Sequence, residues 1–463
     1  MTNDTIAAIT TAPGEAGISV VRVSGADALK IADKVFRCSG KAPSERAANS
    51  FVHGYVKFVE LACPHAGIHA QDIDEAILLI YKAPQSYTRE NVVEFQGHGG
   101  TISARRILRT VLNAGARIAE PGEFTKRAFL SGRIDLLQAE AVMDLIKSRS
   151  DRAANTALEQ LEGSLSHSFT VIYDNLLSIA GDLEATLDFG EDELPSSTFE
   201  TLISKLSDVQ DDLNKLLASW DEGHLLREGA LVVLSGSPNV GKSTLLNALL
   251  GSERAIVTHV PGTTRDTLEE QLVLEGIPLR IVDTAGLRDA DCDIEKEGIR
   301  RARKKIEYAD VNIWVVDGSK SLSIEEKLYL SKIDTNRYIV VINKSDLGIT
   351  LTKDDFKGLR SVSCGINDHS GLSALREAIV KKLGISNSAI SHASISERHR
   401  LLISDVLKEL DDVTSMLSGS EEDLSAMAAG SVRTALESLG EITGRSYHND
   451  LLENVFGRFC VGK

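Results

Sequence analysis

The strongest constraint on this chain is a loop that needs a strand before it and a helix after it. Over residues 229–250 an apolar run, Leu231 to Leu234, meets a glycine-bearing loop, Gly236 to Ser243, and then the leucine pattern Leu245, Leu246, Leu249. In that order the backbone turns its N–H groups toward phosphate oxygens, with the positive end of a helix behind them. Lys242 then reaches the outer phosphates and Ser243 is placed to hold Mg²⁺. Asn239, Val240, Gly241 and Thr244 complete the phosphate contacts.

Three further motifs follow in order. Gly262-Thr263-Thr264-Arg265-Asp266 offers a hydroxyl as second Mg²⁺ ligand and γ-phosphate sensor, and its spacing from the loop selects Thr264, with Thr258 upstream as a further nucleotide contact. Asp283-Thr284-Ala285-Gly286 ends the apolar strand Leu279 to Val282, with Asp283 suited to the metal's outer shell and Gly286 to a backbone contact with the γ-phosphate. Asn343-Lys344-Ser345-Asp346 ends the strand Tyr338 to Ile342. Asp346 accepts from the two guanine donors that adenine lacks, so the wrong base leaves a carboxylate unpaired. Ser363-Cys364-Gly365 closes that pocket. Four motifs in this order, each at a strand end, predict guanine-nucleotide binding. Leu287 stands where Ras-like switches carry the glutamine that orients water, so another group must do so: Glu295, a partner's arginine or a monovalent cation.

The rest of the chain frames this unit. Its 463 residues suggest about three domains. No apolar run approaches the roughly 20 residues of a membrane span, and Met1-Thr-Asn-Asp-Thr5 is no signal peptide, which predicts a cytoplasmic protein. The five cysteines, Cys38, Cys63, Cys292, Cys364 and Cys460, have no C-x-x-C spacing and read as free thiols. A net charge of −16 disfavours indiscriminate binding to polyanions. Any RNA contact must then be local, and candidate patches are Arg105, Arg106 and Arg109 with Arg117, and Arg300 to Lys305.

In chain order, Thr5 to Gly122 is mixed: strands over Ile18–Val23, Phe51–Val59, Ile73–Tyr81 and Val92–Phe95, and a helix over Ser103–Asn113. Long helices follow over Phe124–Leu130, Asp135–Arg149, Ala153–Phe189 and Phe199–Trp220, and again over Ile395–Leu417, Asp423–Thr443 and Tyr447–Val455. The expected fold is multidomain α/β and α+β, with a phosphate-loop domain inserted into an all-helical one. The boundaries are 1–122, 123–221, 222–383 and 384–463, and four domains in series is the alternative.

With these motifs in hand, the chain resembles the tRNA modification GTPase family known as MnmE or TrmE over essentially its whole length. The resemblance rests on Asp4-Thr-Ile-Ala-Ala8, Gln96-Gly-His-Gly-Gly100, Pro121-Gly-Glu-Phe124, Arg127-Ala-Phe-Leu130, the nucleotide motifs and the terminal Phe456-Gly-Arg-Phe-Cys-Val-Gly-Lys463. It implies an N-terminal folate-binding and dimerisation domain, hence a homodimer, and a flavoprotein partner, MnmG. The implied reaction adds an aminomethyl or carboxymethylaminomethyl group to carbon five of the wobble uridine of certain tRNAs, using a tetrahydrofolate one-carbon unit. By matching positions it implies folate contacts at Arg22, Glu94, Arg133 and Lys463, with Cys460 near the modification site. It also implies K⁺ on Asn239 and the carbonyls of Thr258, Val260 and Thr263, and Glu295 orienting the hydrolytic water. Arg133 stands where the family leads one to expect lysine. The alternative to a modifying enzyme is a regulatory GTPase of ribosome assembly, which has no use for a folate domain or a cysteine tail.

Overall fold

The computed structural model describes residues 4–58, 72–188, 197–251, 269–283, 305–356, 358–365, 369–384, 394–418 and 424–463. It separates into two compact units, residues 1–143 with 436–463, and residues 144–435.

The first unit is built on a seven-stranded sheet. Its elements are β1 (Ile6–Ile9), β2 (Ile18–Ser24), α1 (Ala28–Val35), β3 (Phe36–Cys38), β4 (Ser50–Lys57), β5 (Asp72–Tyr81), β6 (Val92–His98), α2 (Thr101–Asn113) and β7 (Arg117–Ile118), in sheet order β3-β4-β5-β6-β2-β1-β7. Neighbours are antiparallel except β1 and β7. Period-two alternation decides the faces. Val52 and Val56, Leu78 and Ile80, Val93 and Phe95, and Val21 and Val23 point into a core closed by α1 and α2. The opposite face presents Phe51, Ile77 and Ile18, which are 71%, 41% and 58% exposed. β1, α1, β3 and β7 are elements that hydrophobic patterning did not reveal.

On that opposite face, α3 (Glu123–Leu130) and the C-terminus cover the β1 end: Phe124 packs with Ile6, Ala8 and Ala119. The first turns of α4 (Leu136–Lys147) join Phe129, Leu452, Val455, Phe456 and Phe459 in a second small core.

The second unit carries long helices and a six-stranded sheet. α5 (Asp151–Leu161) and α6 (Ser164–Asp188) divide what the apolar spacing reads as one helix from Ala153, because Gly163 turns the chain at φ +98°, open to glycine at little cost. α7 (Ser197–Ala218) packs on α6 and on the helix Glu397–Leu417. α8 (Trp220–Glu228) then leads into β8 (Ala230–Gly236) and α9 (Lys242–Gly251). The sheet adds β9 (Glu269–Leu274), β10 (Ile277–Asp283), β11 (Val311–Asp317), β12 (Tyr338–Asn343) and β13 (Arg360–Ser363), in order β13-β12-β11-β8-β10-β9. All pairs are parallel except the β9–β10 hairpin. Hydrophobic cores lie on both faces, which is why β8 and β12 are continuous apolar runs. Ligands of such sheets sit beyond the carboxyl ends of the strands.

Candidate functional sites

At the carboxyl end of β8 the glycine-bearing loop is held from three sides. From within, buried Lys242 donates from Nζ to the carbonyls of Gly236 (3.0 Å) and Ser237 (2.9 Å). From β10, which lies beside β8, Asp283 Oδ2 accepts from Ser243 Oγ at 2.9 Å. From β12, buried Asn343 Nδ2 donates to the Val240 carbonyl at 2.8 Å, and Lys344 Nζ donates to the Asn239 carbonyl at 2.9 Å. Gly241 sits at φ +93°, and a Cβ there would lie 2.3 Å from Asn343 Nδ2, so only glycine lets the asparagine in.

Two groups supporting this loop were not singled out by sequence. Asp317, ending β11, accepts from Lys344 Nζ at 2.7 Å, and hydrogen bonds from Lys344 and Ser319 hold its carboxyl down at about 2. Glu326 accepts from Ser237 Oγ at 2.6 Å. Asp317 ends an apolar strand just as Asp283 does, a signal available in the sequence.

Asp346 lies in the short turn Ser345–Leu347, exposed. The loop after β13 rests against it: Ser345 N donates to the Cys364 carbonyl (3.2 Å), Cys364 N donates to the Ile342 carbonyl (2.8 Å), and Gly365 packs beside the Asp346 side chain. Asn239, Val240, Gly241, Lys242, Ser243, Asp283, Asn343 and Lys344 are thus gathered at one sheet end, with Asp346, Ser363 and Cys364 following β12 and β13. Thr244 is exposed on the first turn of α9. Thr258, Val260, Thr263, Thr264, Thr284, Ala285, Gly286, Leu287 and Glu295 lie outside the described residues.

A second constellation forms in the other unit. Arg22 and Glu94 are register partners on β2 and β6, and Arg22 Nε donates to Glu94 Oε1 at 2.7 Å. The Arg22 guanidinium lies 5.4 Å from the Tyr87 ring centre and 5.5 Å from that of Phe124. Arg133 approaches the same tyrosine, 4.8 Å from its ring, and donates from Nη1 to the Tyr87 carbonyl at 2.7 Å. Arg133 also lines a cavity of about 470 Å³ with Phe129, Asp135, Gln138 and Tyr447. Burial, with Glu94 nearby, pushes the Tyr81 hydroxyl up.

The C-terminal tail reaches this place through its backbone. Phe124 N donates to the Lys463 carbonyl (3.2 Å), Gly122 N donates to that of Cys460 (3.4 Å), and Val461 bridges to Pro121. Cys460 is exposed. Tyr87 and Phe124 are the aromatic centre of this group; Phe124 belongs to the Pro121-Gly-Glu-Phe124 motif, whereas a tyrosine in a polar turn carries no signal.

A partly buried ionic network lies nearby. Arg127, 8% exposed, meets Asp4, Glu90 and Glu123 within 3.0 Å. Arg117 pairs with Asp4 and Glu123, each at 2.6 Å, which removes it from the basic patch proposed with Arg105, Arg106 and Arg109. Burial favours the neutral acid at Asp4, but hydrogen bonds from Arg117 and Arg127 outweigh it and leave the carboxyl at about 2.

Two family models match the chain: "GTP-binding protein TrmE N-terminus" over residues 5–133 and "MnmE helical domain" over residues 136–460. A tRNA modification GTPase MnmE of Alkaliphilus oremlandii is 39% identical over 468 residues, covering 100% of this chain and 99% of that protein. One of Syntrophotalea carbinolica is 41% identical over 466 residues, covering 100% and 99%. Among solved structures, the FeoB G-domain of Methanococcus jannaschii matches 34% of this chain and 98% of its own at 25% identity, with a TM-score of 0.26.

Proposed function

The chain belongs to the tRNA modification GTPase MnmE family, and from that premise we propose that its GTP hydrolysis drives alkylation of wobble uridine at carbon five, with folate held in the other unit. In this reading the GTPase domain spans 222–383, inserted between helical segments 123–221 and 384–463, and the folate domain spans 1–122.

The reading of the nucleotide site rests on one observation: Asp283 and Asn343 grip the same loop from opposite sides, one at Ser243 and the other at Val240. The Ser243 hydroxyl with Asp283 close by offers the hard oxygen donors that Mg²⁺ prefers, and Thr264 would complete them. Lys242 and the loop N–H groups hold phosphates, Thr284 to Gly286 meet the γ-phosphate, and Asp346 reads guanine between Lys344 and the Ser363–Cys364 turn. Asn239, Thr258, Val260 and Thr263 hold K⁺, and Glu295 orients water.

In the folate site, the guanidinium of Arg22, the Glu94 carboxylate and the Tyr87 and Phe124 rings form a set suited to a flat heterocycle with polar edges, with Arg133 and Lys463 for carboxylates. Folate, when bound, supplies the one-carbon unit. Cys460, exposed on the tail, would serve the modification site in this reading. Phe51, Ile77 and Ile18, exposed on one sheet face among polar residues such as His53 and Glu75, are the surface residues that support a homodimer. MnmG is the expected flavoprotein partner. Nucleoside analysis of bulk tRNA from cells lacking this protein is expected to show wobble uridines without the substituent; an unchanged profile overturns the reading. GTP turnover should rise in K⁺ and stay low in Na⁺ at equal ionic strength, and equal rates remove the K⁺ assignment.

A further inference from the structure

We propose that the outer face of α2 docks the phosphodiester backbone of the tRNA substrate, an inference that rests on the tRNA reading above. α2 buries Ala104, Ile107, Thr110 and Val111 and leaves Arg105, Arg106 and Arg109 exposed. At 100° per residue these three fall on one side of the helix, one turn apart as the 105/109 and 106/109 pairs. No acidic residue occurs from Gly99 to Ala119.

Some exposed basic side chains elsewhere in this acidic chain are met by acids, Arg37 by Asp72, Lys205 by Asp182 and Arg433 by Glu184, while others such as Lys327 and Lys408 stand without one among the described residues. Among the described residues, Arg105 and Arg106 have no such partner, and Arg109 only stands 5.8 Å from the Phe58 ring. Lys34 of α1, whose Nζ donates to the Ala114 carbonyl at 3.4 Å, adds a further charge at the C-terminal end of α2. Three unneutralised arginines within two turns repel one another, a cost that a polyanion relieves.

The side chains are all arginine, whose planar fork suits phosphate oxygens. With a net charge of −16, the chain can attract a nucleic acid only through such a local patch. Contacts of this kind position an RNA without reading its sequence, so α2 supplies affinity and register, and selection of the wobble base belongs elsewhere.

The test is the full-length triple variant Arg105→Gln, Arg106→Gln, Arg109→Gln, since glutamine keeps the helix propensity. Its binding to an unmodified tRNA transcript is measured by fluorescence anisotropy from 50 to 200 mM KCl. Each lost phosphate contact lowers the slope of log affinity against log salt by somewhat under one, so the slope should fall by about 2 to 3 and affinity at low salt by about tenfold or more. GTP turnover without tRNA should stay unchanged. Arg433→Gln, in the other unit, should leave the slope at the parent value. A triple variant with the parent slope overturns the docking face alone, as does loss of binding to phosphatidylglycerol vesicles with tRNA binding intact. A parent that binds no tRNA overturns the tRNA reading and this inference together.

Discussion

The loop around Gly241 and the cluster around Tyr87 hold their functional groups by different means. Lys242, Asn343 and Lys344 each donate to a main-chain carbonyl close to the end of β8. Arg22, Glu94 and Arg127 are instead held largely by side chains far away in sequence, as in the pairs 22/94 and 127/4. A backbone-held site depends on where strands end, and its residues must stay contiguous. A site held by side chains can be assembled from anywhere, and its geometry depends on charges remaining paired.

That contrast is broken most directly at Arg127. Removing it takes a buried guanidinium from Asp4, Glu90 and Glu123. Asp4 and Glu123 keep Arg117 and only Glu123 is buried, so the cost should lie toward the lower end of the roughly 3–5 kcal/mol of breaking a buried pair. Arg127→Ala should therefore strip amide-exchange protection from α3 and the β1–β2 pair. Both tryptophans, Trp220 and Trp314, belong to residues 144–435, so their fluorescence follows the other unit and should report an unchanged transition. Full protection of α3 in the variant would mean that the network is ornamental to the fold.

In the nucleotide unit the matching change is Asn343→Ala. It leaves the Val240 carbonyl without its buried donor, at about 1–3 kcal/mol, and frees the loop on its base side. GTP affinity, measured by calorimetry, should fall about tenfold or more while the fold persists. A variant that keeps parental affinity would show that the loop is fixed without β12, and the distinction drawn between the two sites would lose its basis.

The same contrast accounts for what could be read from the chain. Gly236 to Ser243, Asp283 and Asn343 to Asp346 were legible because a phosphate-binding backbone imposes residue types at fixed spacings. The strands β8, β10 and β12 of the second sheet were legible too, as apolar runs ending in a motif, whereas β9 and β11 were not. Tyr87 was not, because a tyrosine in a turn declares nothing until Arg22 and Arg133 are seen against its ring. The break between α5 and α6 is hidden because apolar spacing continues across Gly163, where only the φ of +98° marks the turn. Arg117 read as one of four basic residues, and only the fold shows it spent on Asp4 and Glu123.

The smallest effect is expected from charge itself, at Asp4. Its folded value of about 2 lies below the ordinary 3.8, so folding favours the carboxylate. Its contribution is therefore complete above the ordinary value and is lost as pH falls from about 4 toward about 2. Because the side chain is 36% exposed, solvent screening reduces the effect, and about 1 kcal/mol is a fair expectation at neutral pH. Asp4→Asn keeps an acceptor and removes the charge. Amide exchange across residues 117–130 should show the variant less protected than the parent at pH 7, with the gap narrowing as both are taken below pH 4. A gap of the same size at every pH would mean that Asp4 works by shape and hydrogen bonding alone. The cluster around Tyr87 would then be no more dependent on paired charges at that position than the phosphate loop is.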